Sequence, residues 1–342
     1  MENTELKEIV NEQSESAESV IPREKGIHTG KPQKKSFVVP VGVFVPVVSI
    51  LLVVSLVFMV VSSVMTVLYF TKDGHKAVYN SKSDLDLADS SQDRISLYNY
   101  ALGDISIPAA DGVPKAQYDE DGFIIDEKGF MHYYHQGEDC SYVGVDVSSF
   151  NGEIDWERVK AAGVDFAMLR IGGRGYGEEG VLYTDDTFKE NLRGAKAAGL
   201  EVGAYFFSQA RSEEEAVEEA EFALDILSGE KLHYPLAFDW EIIDSVETRI
   251  DDVTPETLTK CARAFCDTVK AEGYIPQIYT GSNLAYFKYD LTELRDIDLW
   301  YAFYNDSPSM YYKYTMWQYS STGEVDGIYG DVDLNVCMKN YD

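Results

Sequence analysis

The segment Phe238-Asp239-Trp240-Glu241 closes an apolar run, Leu236-Ala237-Phe238, with two carboxylates spaced by one residue. On a strand, residues two apart project to the same side. Two carboxylates that close cannot both ionise freely, so one of them keeps its proton to higher pH. Glycoside hydrolysis needs that division of labour. One carboxylic acid protonates the leaving oxygen, and one carboxylate faces the positive charge that develops at the anomeric carbon. A strand that ends in solvated acids has the same pattern, so D-x-E by itself does not decide between the two.

The elements that must position the pair narrow the choice. Beyond Cys140, strands are predicted at Val143–Ser148, Phe166–Gly172, Glu201–Ser208, Leu236–Glu241, Ile275–Thr280, Asp298–Tyr304, Tyr314–Ser320 and Asp331–Val336. Helices fall between the first five. Ser212-Glu213-Glu214-Glu215 is a capping box ahead of a helix over Ala216–Leu227. Thr254 and Pro255 form an N-cap and first-turn pair, and Gly163, Gly199, Gly229 and Gly273 are placed as helix stops. The first five strands begin about 22 to 40 residues apart, enough for a crossover helix, whereas the last three are joined by connections of about ten. A parallel crossover normally needs a dozen residues or more. The expected fold is therefore α/β: an irregular (β/α) barrel of about five βα units followed by three strands with few or no helices. Its active site is expected at the strand C-terminal ends.

Closing such a barrel makes its first and last strands neighbours. Asp146, in Gly144-Val145-Asp146-Val147-Ser148, and Asp333, in Asp331-Val332-Asp333-Leu334-Asn335, then reach the same rim as Asp239 and Glu241. Four acids at one mouth are electrostatically costly unless they do work. Tyr205, Trp240, Tyr279 and Trp317, with the adjacent Gln318, lie near strand ends and are the candidates for stacking on or bonding to sugars; each aromatic ring fits a core position as well.

Other chemistry is poorly provided for. The barrel region holds a single histidine, His233, before the fourth strand rather than at its end. That disfavours Ser–His hydrolysis and zinc-dependent deacetylation. A chitinase-like D-x-D-x-E run is absent, because Leu236-Ala237-Phe238 precedes Asp239 and Ala237 stands where its first acid belongs. His132 and His135 form H-x-x-H without a third ligand, so they read as surface residues and no metal is expected. Cys140, Cys261, Cys266 and Cys337 have no metal-site spacing and read as buried free thiols, with a Cys140–Cys337 bridge as the alternative.

The 342-residue chain carries a net charge of −30, which repels nucleic acid and anionic lipid. Residues 1–35 contribute six Lys and Arg against seven Asp and Glu, so the excess lies further on. They are polar and aperiodic and read as a disordered cytoplasmic tail. No charged residue occurs from Ser36 to Phe70. This run is the expected transmembrane segment, and Pro40 and Pro46 move the bilayer contact to about residues 47–70. It is longer than a signal-peptide core, and no clean cleavage site follows. Cations are denser before it (Arg23, Lys25, Lys31, Lys34, Lys35) than after it (Lys72, Lys76, Lys82), which places the N-terminus in the cytoplasm and the rest outside. Residues 71–139 are expected to form an extracellular stem, with a short helix in Asp84–Leu102 and a hairpin in Asp119–Tyr134. Residues 140–342 form the barrel.

The stretch GVDVSSFNGEIDWERVKAAGVDFAMLRIG resembles the opening of glycoside hydrolase family 25 lysozymes. GAYFFSQA followed by a Glu-rich helix, the DWE strand end, WQYSS and GDVDLN are similar to the family's later motifs, in its order. The resemblance covers about Gly144–Asn335. It implies a barrel lacking helices on its last three strands and a peptidoglycan muramidase cutting the β-1,4 bond between N-acetylmuramic acid and N-acetylglucosamine; with the transmembrane segment expected above, the whole reads as a membrane-anchored muramidase. It implies Glu241 as general acid and Asp239, Asp146 and Asp333 as the other acidic site positions, with no cofactor. It leaves open whether Asp239 attacks directly or assists the substrate's acetamido group. Phe206 stands where the family often has histidine, a departure expected to alter a subsite while leaving the acids. The alternative is a non-catalytic, membrane-anchored barrel that binds the cell wall.

Overall fold

The computed structural model describes residues 93–99, 103–243 and 248–341. The tail, the charge-free run and the first part of the stem lie outside the described residues. Among the described residues, no helix is long and apolar enough to cross a membrane.

The first elements are an antiparallel hairpin of β1 (Arg94–Asn99) and β2 (Gly103–Pro108), then β3 (Phe123–Ile125), β4 (Met131–His135) and the short β5 (Glu138–Asp139). There follow β6 (Tyr142–Val147), α1 (Trp156–Ala162), β7 (Phe166–Arg174), β8 (Leu182–Thr184), α2 (Phe188–Ala197), β9 (Glu201–Ser208) and α3 (Glu213–Leu227). The chain continues through β10 (Leu236–Trp240), α4 (Pro255–Ala271), β11 (Pro276–Gly281), α5 (Ser282–Phe287), α6 (Leu291–Leu294), β12 (Asp298–Ala302), β13 (Met316–Gly323) and β14 (Val332–Cys337).

Strands β6, β7, β9, β10, β11, β12, β13 and β14 pair in a closed ring, with β6 joining β7 in parallel and β14 in antiparallel fashion. The short connections expected from the sequence have a definite consequence here. Only eight residues separate β13 from β14, too few for a parallel crossover, so β14 runs back against both of its neighbours. The fifth βα unit is reduced to α5 and α6, and no helix follows β12.

Period-2 alternation divides each barrel strand into an outer and an inner face. Val143, Val145 and Val147 of β6 and Leu236, Phe238 and Trp240 of β10 join the outer apolar layer, which α3 and α4 cover through Phe206–Phe222, Phe206–Phe265 and Phe238–Phe265 ring contacts. Inside the barrel, Phe166, Met168, Ala237, Trp300, Met316 and Cys337 form a separate apolar cluster. Gly144 is required for it: a Cβ there would lie 2.1 Å from the Phe166 ring. The helix signals act as expected, except that the capping box ahead of α3 is half-formed, since the Glu215 carboxylate accepts from the Arg211 NH instead of the Ser212 NH. Ser212 accepts from the Glu215 NH, Thr254 accepts from the Thr257 NH with Pro255 in the first turn, and Gly163 ends α1 in the left-handed region at φ 117°.

Strands without helices leave an outer wall uncovered, and the segment ahead of the barrel covers it. Lys115 bridges to Tyr312, the Tyr118 hydroxyl donates to the Tyr314 carbonyl at 2.7 Å, and the Met131 NH donates to the Tyr319 hydroxyl at 3.0 Å. Phe123 meets Trp317 edge to face, and Met131 and Tyr133 are buried. Residues 109–139, read from the sequence as stem, are thus packed on the barrel. The hairpin expected within Asp119–Tyr134 is β3–β4. The described part of the helix expected in Asp84–Leu102 is strand β1 instead: Ile95 and Leu97 alternate with Arg94 and Ser96 and pair with Ile107 and Ile105 of β2. A two-residue period buries one side of a ribbon, and a helix would scatter it.

The cysteines are all free. Cys261, Cys266 and Cys337 are buried as expected, but Cys140 is exposed and unbridged, because it follows β5 on the outer surface while Cys337 points into the barrel.

Candidate active site

The inner face of the barrel grades from apolar to polar along the strands. On the parallel strands, later residues lie nearer the mouth, so Phe166 and Met168 are followed by Arg170, and Ala237 by Asp239 and then Glu241 just past the end of β10. β14 runs the other way, and its early residue Asp333 is therefore the one at the mouth, in register with Asp146 of β6. The structure brings together all four acids named from the sequence.

They form two pairs of one pattern. Asp146 and Asp239 are buried, whereas Asp333 and Glu241 are half-buried. Burial raises the pKa of all four. After burial, the strongest influence on Asp146 is the Asp333 charge, and on Asp239 it is the Glu241 charge. Asp239 also feels Asp146, and Glu241 feels Asp333. The acids are one electrostatic unit, an inner pair and an outer pair, and the proton in the Asp239–Glu241 pair belongs to both.

Asp146 is held by two amides whose orientation is itself held. Gln318 Nε2 and Asn335 Nδ2 each donate to Asp146 Oδ2 at 2.8 Å. The Gln318 carbonyl oxygen accepts from the hydroxyls of Tyr279 at 2.9 Å and Tyr304 at 2.8 Å, and that of Asn335 accepts from Trp300 Nε1 at 2.8 Å. Each amide therefore presents only NH to the carboxylate. Asp239 contrasts with this, since its Oδ1 is buried and has no hydrogen-bond partner. An unpartnered buried carboxylate oxygen is costly to ionise, in line with burial as the first cause of the raised pKa of Asp239.

One cation stands beside the acids. Arg170 lies in register with Tyr205 of β9, and its charge opposes the upward shifts of Asp239 and Tyr205. Its Nε donates to Asp185 at 2.8 Å, and Nη2 donates to Ser149 Oγ at 3.0 Å. Burial works against ionisation of Asp185, yet the NH groups of Ser149 and Thr187, the Thr187 hydroxyl and Arg170 outweigh it and lower its pKa. The rim beyond is fastened by Arg174, which donates to Glu219, Glu218 and the Gly180 carbonyl, and by Arg249, which donates to Glu215 and the Gln209 carbonyl. Glu219 is pushed up to about 7 by burial, although Arg174 pulls the other way; desolvation costs this carboxylate more than its partner returns.

Of the sugar-contact candidates, Tyr205, Tyr279 and Gln318 face the barrel interior among the acids. Trp240 and Trp317 do not. Trp240 points outward, donates to the Ala210 carbonyl at 3.2 Å, and lines a cavity of about 270 Å³ that contains none of the four acids. Trp317 is fully buried in the outer layer against Phe123 and Tyr319 and donates to the Phe303 carbonyl. Phe206 faces outward too, against Phe222 and Phe265, so the departure from histidine there is away from the mouth. The reason is common to all three: each adjoins an inward-facing residue, Asp239, Gln318 or Tyr205, and alternation turns it the other way. Sequence reasoning missed Arg170, Asp185, Tyr304 and Asn335. Two of them carried a signal, since Arg170 is two residues past the inward Met168 and Asn335 two past Asp333.

The family model of glycosyl hydrolases family 25 matches residues 145–328, more than half of the chain. The autolytic lysozyme of Clostridium acetobutylicum is 32% identical over 194 residues, covering 56% of this chain and 54% of its own length. Lysozyme M1 of Streptomyces globisporus is 28% identical over 209 residues, covering 56% of this chain and 66% of its own. The chain thus spans between half and two-thirds of these relatives. The structure of a family 25 glycosyl hydrolase from Bacillus anthracis superposes with a TM-score of 0.50 at 25% identity, over 61% of this chain and 93% of that one. On the extent of the family match, this chain belongs to glycosyl hydrolases family 25.

Proposed function

We propose that the protein is a peptidoglycan muramidase that hydrolyses the β-1,4 bond between N-acetylmuramic acid and N-acetylglucosamine. The observation that carries this reading is the pairing of Asp239 with Glu241 beside Asp146 and Asp333, all four with raised pKa values, in the mouth of a family 25 barrel. The names of the two lysozymes above support the substrate.

In this reading Glu241, the more exposed member of its pair, gives the shared proton to the glycosidic oxygen as the bond to the anomeric carbon breaks. Asp239, with its free Oδ1, faces the positive charge at that carbon, either directly or through the acetamido group of the sugar. Water then attacks the anomeric carbon and returns its proton to Glu241, so one water is consumed per bond. Asp146 and Asp333 keep the mouth negative and hold the proton on the other pair at higher pH. Tyr205, Tyr279 and Gln318 are the proposed substrate contacts.

We further propose that the charge-free run Ser36–Phe70 anchors the chain in the membrane, with the barrel on the outer side where peptidoglycan lies. The support is the length of that run and the denser cations before it.

Incubating the purified full chain with isolated cell walls and analysing the released material by mass spectrometry tests the activity. Soluble muropeptides ending in reducing N-acetylmuramic acid are expected. Wall binding with no release of reducing ends would mean a non-catalytic wall-binding barrel.

A further inference from the structure

Exposed aromatic rings are not spread over the described residues. Among the described residues, the large exposed aromatics are Phe150, Tyr176, Tyr183, Tyr304 and Tyr329, and all sit on segments at the mouth end of the barrel. Single exposed apolar side chains need no explanation. Five at one end, around buried acids, do.

Phe150 is presented on a tied backbone. It is 89% exposed, so its ring gains little from folding. Its backbone nevertheless sits in a closely tied 3-10 turn, Ser149–Asn151, immediately after β6. Ser148 Oγ accepts from the Phe150 NH and Asn151 Oδ1 accepts from the Ser148 NH at 2.9 Å. Asn151 Nδ2 donates to the Asp331 carbonyl at 3.3 Å, tying the turn to the segment that leads into Asp333. The Ser149 NH donates to Asp185 Oδ2 at 3.0 Å. One face of the ring is occupied by the Arg170 guanidinium, 4.8 Å from its centroid, and Arg170 is in turn held by Asp185 and Ser149. The backbone that carries the ring is thus held, one face of the ring lies against Arg170, and the rest of the ring is open to solvent.

An exposed aromatic ring on a tied backbone, backed on one face by a held guanidinium, suits the C–H face of a pyranose. We propose that Phe150 is the stacking platform for one pyranose ring of the glycan strand next to the cleaved bond. This rests on the muramidase reading above, and it makes Phe150 a determinant of how tightly a glycan strand is held.

The test compares the full-length wild type with Phe150→Ala and Phe150→Tyr, by reducing-end release from solubilised peptidoglycan strands and by co-sedimentation with insoluble peptidoglycan. Phe150→Ala is expected to raise KM by roughly 2–10-fold, the size of an aromatic stacking contact, with a smaller change in kcat. Retention on the insoluble polymer should fall in parallel, the melting temperature should hold because the ring is exposed, and Phe150→Tyr should restore both KM and retention. Unchanged KM and retention in Phe150→Ala overturns the platform, as does a loss that tyrosine fails to restore. If the wild type releases no reducing ends, the muramidase reading fails, while the sedimentation comparison still decides for or against the platform.

Discussion

Asp146 and Asp333 stand directly opposite one another across the antiparallel β6–β14 pair, one buried and one half-buried, at the mouth of the barrel. Like charges in such positions do not both ionise easily. Asp146 escapes part of the cost through the amides of Gln318 and Asn335, and Asp333 through its access to water. The negative field they leave acts on the neighbouring pair: Asp333 raises the pKa of Glu241, and Asp146 raises that of Asp239.

From that coupling, Asp333→Asn should lower the pKa of Glu241, since it removes a negative charge that favours the protonated form. The alkaline limb of the kcat/KM profile then moves to lower pH, with reduced activity at neutral pH. An alkaline limb that stays in place would show that Asp333 does not act on the group that titrates.

Glu241→Gln should abolish glycan cleavage while leaving the fold intact. General acid catalysis is worth ~10²–10⁴-fold, so turnover above about a tenth of wild type is incompatible with the assigned role. Circular dichroism and melting temperature serve as the controls: the spectrum should match wild type, and the melting temperature near pH 7 should be no lower, because the side chain is replaced by its neutral isostere and the pKa of Glu241 is raised by burial.

Stability at neutral pH should rise when Asp239 is neutralised. Its folded-state pKa lies well above the ordinary 3.8, raised by burial and then by the Glu241 charge. The folded state therefore binds the proton more tightly than the unfolded state does. The stability this confers is full below the unfolded pKa and is lost as pH rises towards the folded one. Asp239→Asn removes the loss. Its melting temperature should exceed that of wild type near pH 7, and the gap should close in acid below about pH 4, the unfolded range. A variant less stable than wild type at both pH values would count against a raised pKa at this position.

The segment before the barrel should behave as part of it. Met131 is 1% exposed and belongs to the main apolar cluster. Met131→Ala should cost about 2–5 kcal/mol in a urea titration, the range for emptying a buried methionine position. A detached stem would unfold separately and leave the barrel transition unchanged.

For the proposed anchor, protease added to intact, wall-stripped cells should remove the barrel and leave a membrane-embedded N-terminal fragment. Protection of the barrel until the cells are permeabilised would reverse the orientation and make action on the wall untenable. Recovery of a form lacking residues 1–70 from the medium would mean a cleaved signal, with the enzyme reading unaffected.

Strand alternation is written in the sequence, and it is what made Asp239 and Glu241 legible as a pair two residues apart. The spacing of strands likewise specified where helices stop, because a chain of eight residues cannot cross back over a sheet. The same alternation, applied to Trp240, Trp317 and Phe206, turns each away from the mouth as soon as its neighbour is known to face inward. What alternation leaves undetermined is phase, meaning which side of each strand becomes the inside, and closure of the ring decides it. Closure also set contacts between residues far apart in the chain: Gln318 and Asn335 reach Asp146 across 172 and 189 positions, and Arg170 meets Asp185 and Ser149 only because β6, β7 and the turn after β6 converge. Local sequence encodes direction and period over a few residues. Partners at such separations are selected by the packing that closes the barrel, so the acids could be named from the sequence, and the groups that hold and tune them emerged only from the fold.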